Sequence, residues 1–234
     1  MPTISFASSK GGAGKSTSAV VLATEFAERG ATVTIIDGDP NQPVSRWGRK
    51  PGRPKTLTVI GDVTEETLLD RIDEAARKTT FVIIDLEGSA NLMVAQAMSR
   101  ADLVIIPMKG SELDAIEAIK LIKFVSRQEK AYQRPIPYAV LITQTNPVVR
   151  PRTLKSLEQD LLEQNIPLFG TALNDRDAFR AIFSFGGGLS GLNTAVVGGV
   201  PGALVNAREF AAEAIAMLKR PQQQPTSEQQ TEAA

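Results

Sequence analysis

The run Ser9-Lys10-Gly11-Gly12-Ala13-Gly14-Lys15-Ser16-Thr17 carries the most specific chemistry in this 234-residue chain. Glycines let consecutive backbone amides turn inward around phosphate oxygens, and a helix starting behind them adds the positive end of its dipole. In such a loop Lys15 bridges the β- and γ-phosphates of a nucleotide, and the Ser16 hydroxyl ligates Mg²⁺. Gly11, Gly12, Ala13, Gly14 and Thr17 complete the cradle. Ser9 stands where the general phosphate-loop pattern has glycine. The chain has no histidine and no cysteine, so it has no thiolate zinc site, iron–sulfur cluster, cysteine nucleophile or histidine base. Its chemistry rests on backbone amides, lysines, hydroxyls and carboxylates.

Three carboxylates follow at the ends of apolar segments. Asp37 and Asp39 close Val33–Ile36, and Asp85 closes Phe81–Ile84. Those segments, with Leu103–Ile106, are continuously apolar, as parallel strands buried on both faces are. Strands are predicted over Ile4–Ala7, Val33–Asp37, Leu57–Ile60, Phe81–Asp85, Leu103–Pro107 and Tyr138–Ile142, with helices between them. Thr64 is the expected cap of a helix whose stripe is Leu68, Leu69, Ile72, Ala75 and Ala76. Leu113, Ile116, Ile119, Ile122 and Phe124 mark a longer helix ending before Pro135. A last one carries Leu204, Ala207, Ala211, Ala214 and Leu218. The alternation predicts an α/β fold: the three-layer phosphate-loop architecture, a mostly parallel sheet flanked by helices.

Lys+Arg and Asp+Glu both number 26, which excludes a globally basic nucleic-acid coat; 42% hydrophobic residues supply an ordinary core. Met1–Phe6 runs into a strand with no basic leader, and no apolar run approaches membrane-spanning length, so a cytoplasmic protein is expected. Three stretches break the rhythm. Residues 46–55, RWGRKPGRPK, hold five cations and no acid. They read as a solvated loop, although Gly52-Arg53-Pro54 resembles an AT-hook core lacking its second arginine. Residues 186–202 hold seven glycines and read as one long loop. Residues 1–220 read as the domain and 221–234 as a disordered polar tail.

Lys10 turns the general pattern into a particular one. Lys-Gly-Gly-x-Gly-Lys-Ser resembles the deviant phosphate loop of the ParA/MinD family of P-loop ATPases, and the likeness extends over about residues 3–219. The resemblance implies ATP and Mg²⁺ as cofactors and a nucleotide-sandwich homodimer in which Lys10 reaches the partner's phosphates. It also implies that Asp39 of Asp37-Gly38-Asp39-Pro40 positions or activates the attacking water. Asp37 then lies near the magnesium shell, and Asp85 binds Mg²⁺ through water. Val104–Pro107 with Ser111-x-Leu113-Asp114 resembles the family's next strand and the turn beside its switch. Asn41 replaces the family's glutamine, and Asp85-Leu86-Glu87-Gly88 departs from its Thr-Pro-Pro, adding the Glu87 carboxylate near the γ-phosphate. No Asn-Lys-x-Asp stretch selects guanine, which favours adenine; by resemblance Gln144, Thr145 and the loop around Pro201 border the base.

The family's small members bind DNA nonspecifically through basic residues, for which Arg49, Lys50, Arg53, Lys55, Arg150, Arg152 and Arg208 are the candidates. They hydrolyse ATP slowly and partition DNA or position a cargo with a ParB-like or ribbon-helix-helix centromere-binding partner, which implies a nucleoid-associated location. Two other readings stand beside this one. A VirC-like accessory ATPase of conjugative DNA transfer shares the compact size and the stretch around Arg176–Phe179. A MinD-like membrane-associated ATPase would need a basic amphipathic C-terminal helix, which the glutamine-rich tail does not offer; no membrane partner is expected.

Overall fold

The computed structural model describes residues 1–87 and 91–219. Its strands are β1 (Thr3–Phe6), β2 (Val33–Gly38), β3 (Leu57–Ile60), β4 (Phe81–Leu86), β5 (Leu103–Lys109), β6 (Tyr138–Thr145) and β7 (Leu173–Asn174). Its helices are α1 (Lys15–Glu28), α2 (Pro43–Gly48), α3 (Leu68–Lys78), α4 (Leu92–Arg100), α5 (Glu112–Tyr132), α6 (Arg152–Glu163), α7 (Asp177–Phe185) and α8 (Val200–Lys219).

All strand pairs are parallel, in the order β3-β2-β4-β1-β5-β6-β7. Side chains alternate between two cores, one on each face of the sheet. Ile35, Ile83 and Ile105 point to the face covered by α1, α7 and α8. Their neighbours Ile36, Ile84 and Ile106 point to the face covered by α3, α4 and α5. That division explains the unbroken apolar runs in the sequence. Because β1 lies between β4 and β5, the chain reverses its direction of travel across the sheet there. The carboxyl end of β1 is thus a topological switch point, where such sheets bind ligands.

Several predicted details shift. Thr64 does not cap α3: Thr67 is its cap residue, and the Thr64 amide instead donates to the Thr67 hydroxyl at 2.9 Å in the turn before it. The buried stripe of α5 is Ala115, Ala118, Leu121, Ile122 and Val125, whereas Leu113 and Ile116 are 70% and 45% exposed. The glycine-rich loop is shorter than predicted, since Leu189–Gly191 form a 3₁₀ turn and α8 begins at Val200. β7 has only two residues, too few for an apolar pattern to reveal it. The tail 221–234 and Gly88 lie outside the described residues.

The basic segment 46–55 is docked rather than free. Its first residues end α2, and the buried Trp47 donates its indole N–H to the Gly187 carbonyl at 3.1 Å. Lys50 Nζ donates to the carbonyls of Phe183 and Ser184 at 2.6 and 2.9 Å, satisfying acceptors at the carboxyl end of α7. This seating opposes the AT-hook reading, which needs an extended, unattached segment.

Candidate functional site

The loop from Ser8 to Gly14 joins β1 to α1 at the switch point. Gly14 is the cap residue of α1 at φ 89°, a left-handed conformation that glycine adopts without strain. Helix α1 has no side-chain cap and no acid in its first turn. Its leading N–H groups and positive dipole end are therefore free for an anion.

β6 braces the loop from the side. The Thr143 hydroxyl shares its proton between the carbonyls of Ala13 at 2.8 Å and Met108 at 3.1 Å. Gln144 Nε2 donates to the Gly12 carbonyl at 2.9 Å. Gln144 therefore holds the loop as well as bordering the space beyond it.

The two lysines have different surroundings. Lys15 is buried, and its ammonium donates to the Ser8 hydroxyl at 3.0 Å. Burial lowers its pKa, while the negative charges of Asp85, Asp39 and Glu87 work against that fall. Lys10 is half exposed and pairs with Asp114 at 2.8 Å. Asp114 also accepts the Ser111 hydroxyl at 2.5 Å. Burial opposes its charge, but the bonds from Lys10 and Ser111 prevail and hold its pKa below the ordinary value.

The carboxylates converge from neighbouring strands. Asp37 accepts the Ser45 amide at 2.6 Å and the Asp39 amide at 3.3 Å, so it fastens the start of α2. Burial raises its pKa and the Ser45 bonds oppose the rise. Asp39 accepts the Asn41 amide at 2.8 Å in a tight turn that leaves its side chain half-buried. Asp85 is fully buried, and neither of its oxygens has a hydrogen-bond partner among the described residues. Burial pushes its pKa up to about 7; the nearby Ser16 hydroxyl and Lys15 work against this, and Asp37 and Asp39 add to it.

A buried carboxylate without partners is costly unless something fills the space before it. Ser16, half-buried on the first turn of α1, supplies a neutral oxygen beside it. Among the described residues no cluster of three acidic groups forms a cage for a metal. That donor set suits a hard cation that keeps most of its waters and takes its other oxygens from phosphates, as Mg²⁺ does.

Next to the loop lies a cleft of about 210 Å³ lined by Gly14, Thr17, Thr143, Gln144, Asn174 and Arg176, among others. Asn174 ties its walls together, donating to the Thr145 hydroxyl at 2.8 Å. Gln144 thus lines the space expected for a base, and Thr145 supports its wall. Pro201 sits exposed on the first turn of α8 and is not among the lining residues. Asn174, Asp175, Arg176, Phe179 and Arg180 also line the cleft; in the sequence the stretch Asn174–Arg180 resembles a family segment before the C-terminal helices, and nothing in it marks these residues as base contacts. A larger cleft of about 750 Å³, lined by Pro2, Leu103 and Tyr138 among others, lies at the amino ends of the strands, away from this chemistry.

The basic candidates divide. Lys50 is engaged by carbonyls, and Arg150 pairs with Glu158. Arg49, Arg53, Lys55, Arg152 and Arg208 are exposed, and none has an ion pair among the described residues. No described helix is long and apolar enough to cross a membrane.

This geometry has close parallels. The sequence profile of the family described as VirC1 protein matches residues 1–220. Protein ParA of Rhizobium radiobacter is 39% identical over 211 residues, covering 90% of this chain and 95% of that protein. The structure of apo McdA from Cyanothece superposes with a TM-score of 0.75 at 15% identity, covering 92% of this chain and 99% of that one. Cobyrinic acid a,c-diamide synthase from Mycobacterium smegmatis, solved with a bound ATP analogue and magnesium, superposes with a TM-score of 0.70 at 17% identity, covering 98% and 100%. At those identities the two structures speak for the fold.

Proposed function

The chain belongs to the VirC1 family within the ParA/MinD group of P-loop proteins, and on that premise we propose that it is a ParA-type ATPase that partitions DNA or positions a cargo. The observation that carries this reading is the site around Lys15. Two phosphate-loop lysines, an uncapped helix start and a buried carboxylate without a hydrogen-bond partner among the described residues meet at the switch point of the sheet.

In this reading the amides of Gly11–Thr17 cradle the phosphates and Lys15 neutralises the β- and γ-oxygens. Ser16 would hold Mg²⁺, with Asp85 reaching it through water and Asp37 near its shell. When bound, Mg²⁺ draws electron density from the phosphate oxygens and offsets their charge. Asp39 orients the attacking water. The Gln144–Asn174 cleft receives adenine. Lys10 reaches the phosphates held by a second protomer and stabilises charge on the leaving group, as an arginine finger does. Dimerisation thereby depends on ATP.

The closed dimer binds DNA without reading its sequence, through exposed cations among Arg49, Arg53, Lys55, Arg152 and Arg208. Slow hydrolysis, stimulated by a ParB-like or ribbon-helix-helix partner, releases it. The domain occupies residues 1–220 and the tail 221–234 follows as a polar extension. Lys10→Ala should leave mononucleotide binding intact while abolishing dimer formation or hydrolysis. Turnover by that variant equal to wild type would refute the cross-subunit role.

The VirC1 profile supports a second reading, an accessory ATPase of conjugative DNA transfer. A gel shift comparing an origin-of-transfer duplex with random DNA separates the two. Preference for the origin favours transfer; equal, salt-sensitive binding favours partition.

A further inference from the structure

The ion pair between Lys10 and Asp114 joins the phosphate loop to the first turn of α5, more than a hundred residues away in sequence. Several bonds fix the backbone on either side of that pair. The Ser9 hydroxyl donates to the Glu117 carbonyl at 2.9 Å, and the Ser8 hydroxyl donates to the Lys10 carbonyl at 2.8 Å. The departure from glycine at position 9 thus has a structural use: it ties the loop to α5. Backbone movement is restrained, so the Lys10 side chain is the part free to change partners.

The two ends of the pair differ in their needs. The Asp114 side chain is 8% exposed, whereas that of Lys10 is 52% exposed. Asp114 is the third residue after the cap Ser111, whose hydroxyl bonds both its amide and its carboxylate. At that position the helix dipole also favours a negative charge. The carboxylate therefore stays satisfied when Lys10 leaves, and the ammonium can exchange it for another anion without stranding a buried charge.

We propose that Asp114 is the resting seat of Lys10 in the single protomer, a carboxylate that the nucleotide phosphates of a second protomer must displace before the sandwich dimer closes. This rests on the reading that Lys10 crosses between protomers. The seat sets a threshold. A triphosphate with its extra negative charge outcompetes one carboxylate more readily than a diphosphate does, so Asp114 sharpens the difference between ATP and ADP. It is a positioning residue and touches no reacting atom. Leu113 and Ile116, exposed on the same two turns, leave the surface around the seat uncovered in the single protomer.

The test compares wild type, Asp114→Asn, Lys10→Ala and the double variant by light scattering over a range of protein concentrations. Each is loaded with Mg²⁺ and a non-hydrolysable ATP analogue, and in parallel with Mg²⁺ and ADP. Asn keeps the bond from Ser111 and removes only the charge. Asp114→Asn should dimerise at about three- to tenfold lower concentration with the ATP analogue, and the gap between analogue and ADP should narrow. The double variant should behave as Lys10→Ala alone, since the seat acts only through Lys10. Thermal unfolding checks each fold, and Asp114→Ser, which also keeps a hydroxyl at the helix start, should shift dimerisation in the same direction. If Asp114→Asn dimerises no more readily than wild type while Lys10→Ala is monomeric, the seat is wrong and the cross-subunit reading stands. If Lys10→Ala dimerises like wild type, that reading falls and the seat falls with it.

Discussion

Asp37 and Asp85 stand opposite each other on adjacent parallel strands, yet their situations are opposite. Asp37 spends its oxygens on the amides of Ser45 and Asp39, while neither oxygen of Asp85 has a hydrogen-bond partner among the described residues. One carboxylate builds the local backbone and the other waits for a ligand. Their shared register brings the charge of Asp37 to bear on Asp85, which in turn acts on Lys15.

The solitary carboxylate makes stability depend on pH. Burial raises the pKa of Asp85 to about 7 from 3.8, so the folded chain holds a proton there that the unfolded chain has already released. The favourable contribution is full below the unfolded value, declines as pH rises toward 7 and is gone above it. The chain without nucleotide should lose about 2–4 kcal/mol from this group across that window, or roughly 5–10 °C in Tm. Asp85→Asn should lack this component. Glu25, whose pKa is also raised, titrates in both proteins and cancels in the comparison, whereas Asp37 is coupled to Asp85 and its response is part of the difference read. Superimposable Tm–pH curves for the two proteins would contradict the assignment.

Thr143 is the brace with the largest expected effect on the loop. Its hydroxyl serves the Ala13 and Met108 carbonyls in a buried setting, so Thr143→Val strands both acceptors while keeping the side-chain shape. The expected loss is about 1–3 kcal/mol of stability, with nucleotide affinity falling about tenfold as the amides lose their alignment. Urea denaturation and titration with a fluorescent ATP analogue read the two effects separately. A stability loss with unchanged affinity would mean that the loop keeps its shape without this brace.

Lys50 and Arg53 should separate structure from DNA contact. Lys50→Ala removes two carbonyl bonds and should cost about 1–2 kcal/mol while leaving the salt dependence of DNA binding unchanged. Arg53→Ala should leave stability within about 0.5 kcal/mol and lower the slope of log affinity against log salt by about one if Arg53 meets a phosphate. Fluorescence anisotropy with random duplex DNA at several salt concentrations measures the slope. The reverse pattern would make Lys50 the contact and the docking incidental.

Much of the site was legible because its chemistry is local in sequence. The run Ser9–Thr17 is continuous, and Asp37 and Asp85 terminate apolar strands whose buried faces leave an unbroken pattern. What escaped were relationships across the fold. On α5, Leu113 and Ile116 look like core in the sequence, yet they are exposed and small Ala115 and Ala118 do the packing. The bond from Lys10 to Asp114 spans over a hundred residues, and nothing in the spacing reveals it. The cations of residues 46–55 looked alike, yet only Lys50 meets free carbonyls at the end of α7.

The glycines of the loop after α7 are likewise unequal, and this yields the sharpest stability contrast. Gly186 has φ 86°, and a Cβ there would lie 2.5 Å from the Pro51 carbonyl oxygen and 2.6 Å from Lys50 Cβ. Gly186→Ala therefore combines left-handed strain of about 1–2 kcal/mol with a collision against the segment that Lys50 and Trp47 hold in place. A total loss of about 2–4 kcal/mol is expected. Gly191 is the control, because a Cβ there meets nothing within 4 Å and its backbone is not left-handed. Gly191→Ala should stay within about 0.5 kcal/mol of wild type. Urea midpoints at matched slope decide the matter. Equal midpoints for the two variants would show that the segment 50–52 is not seated against the loop, and would return residues 46–55 to the free, solvated state that composition alone suggests.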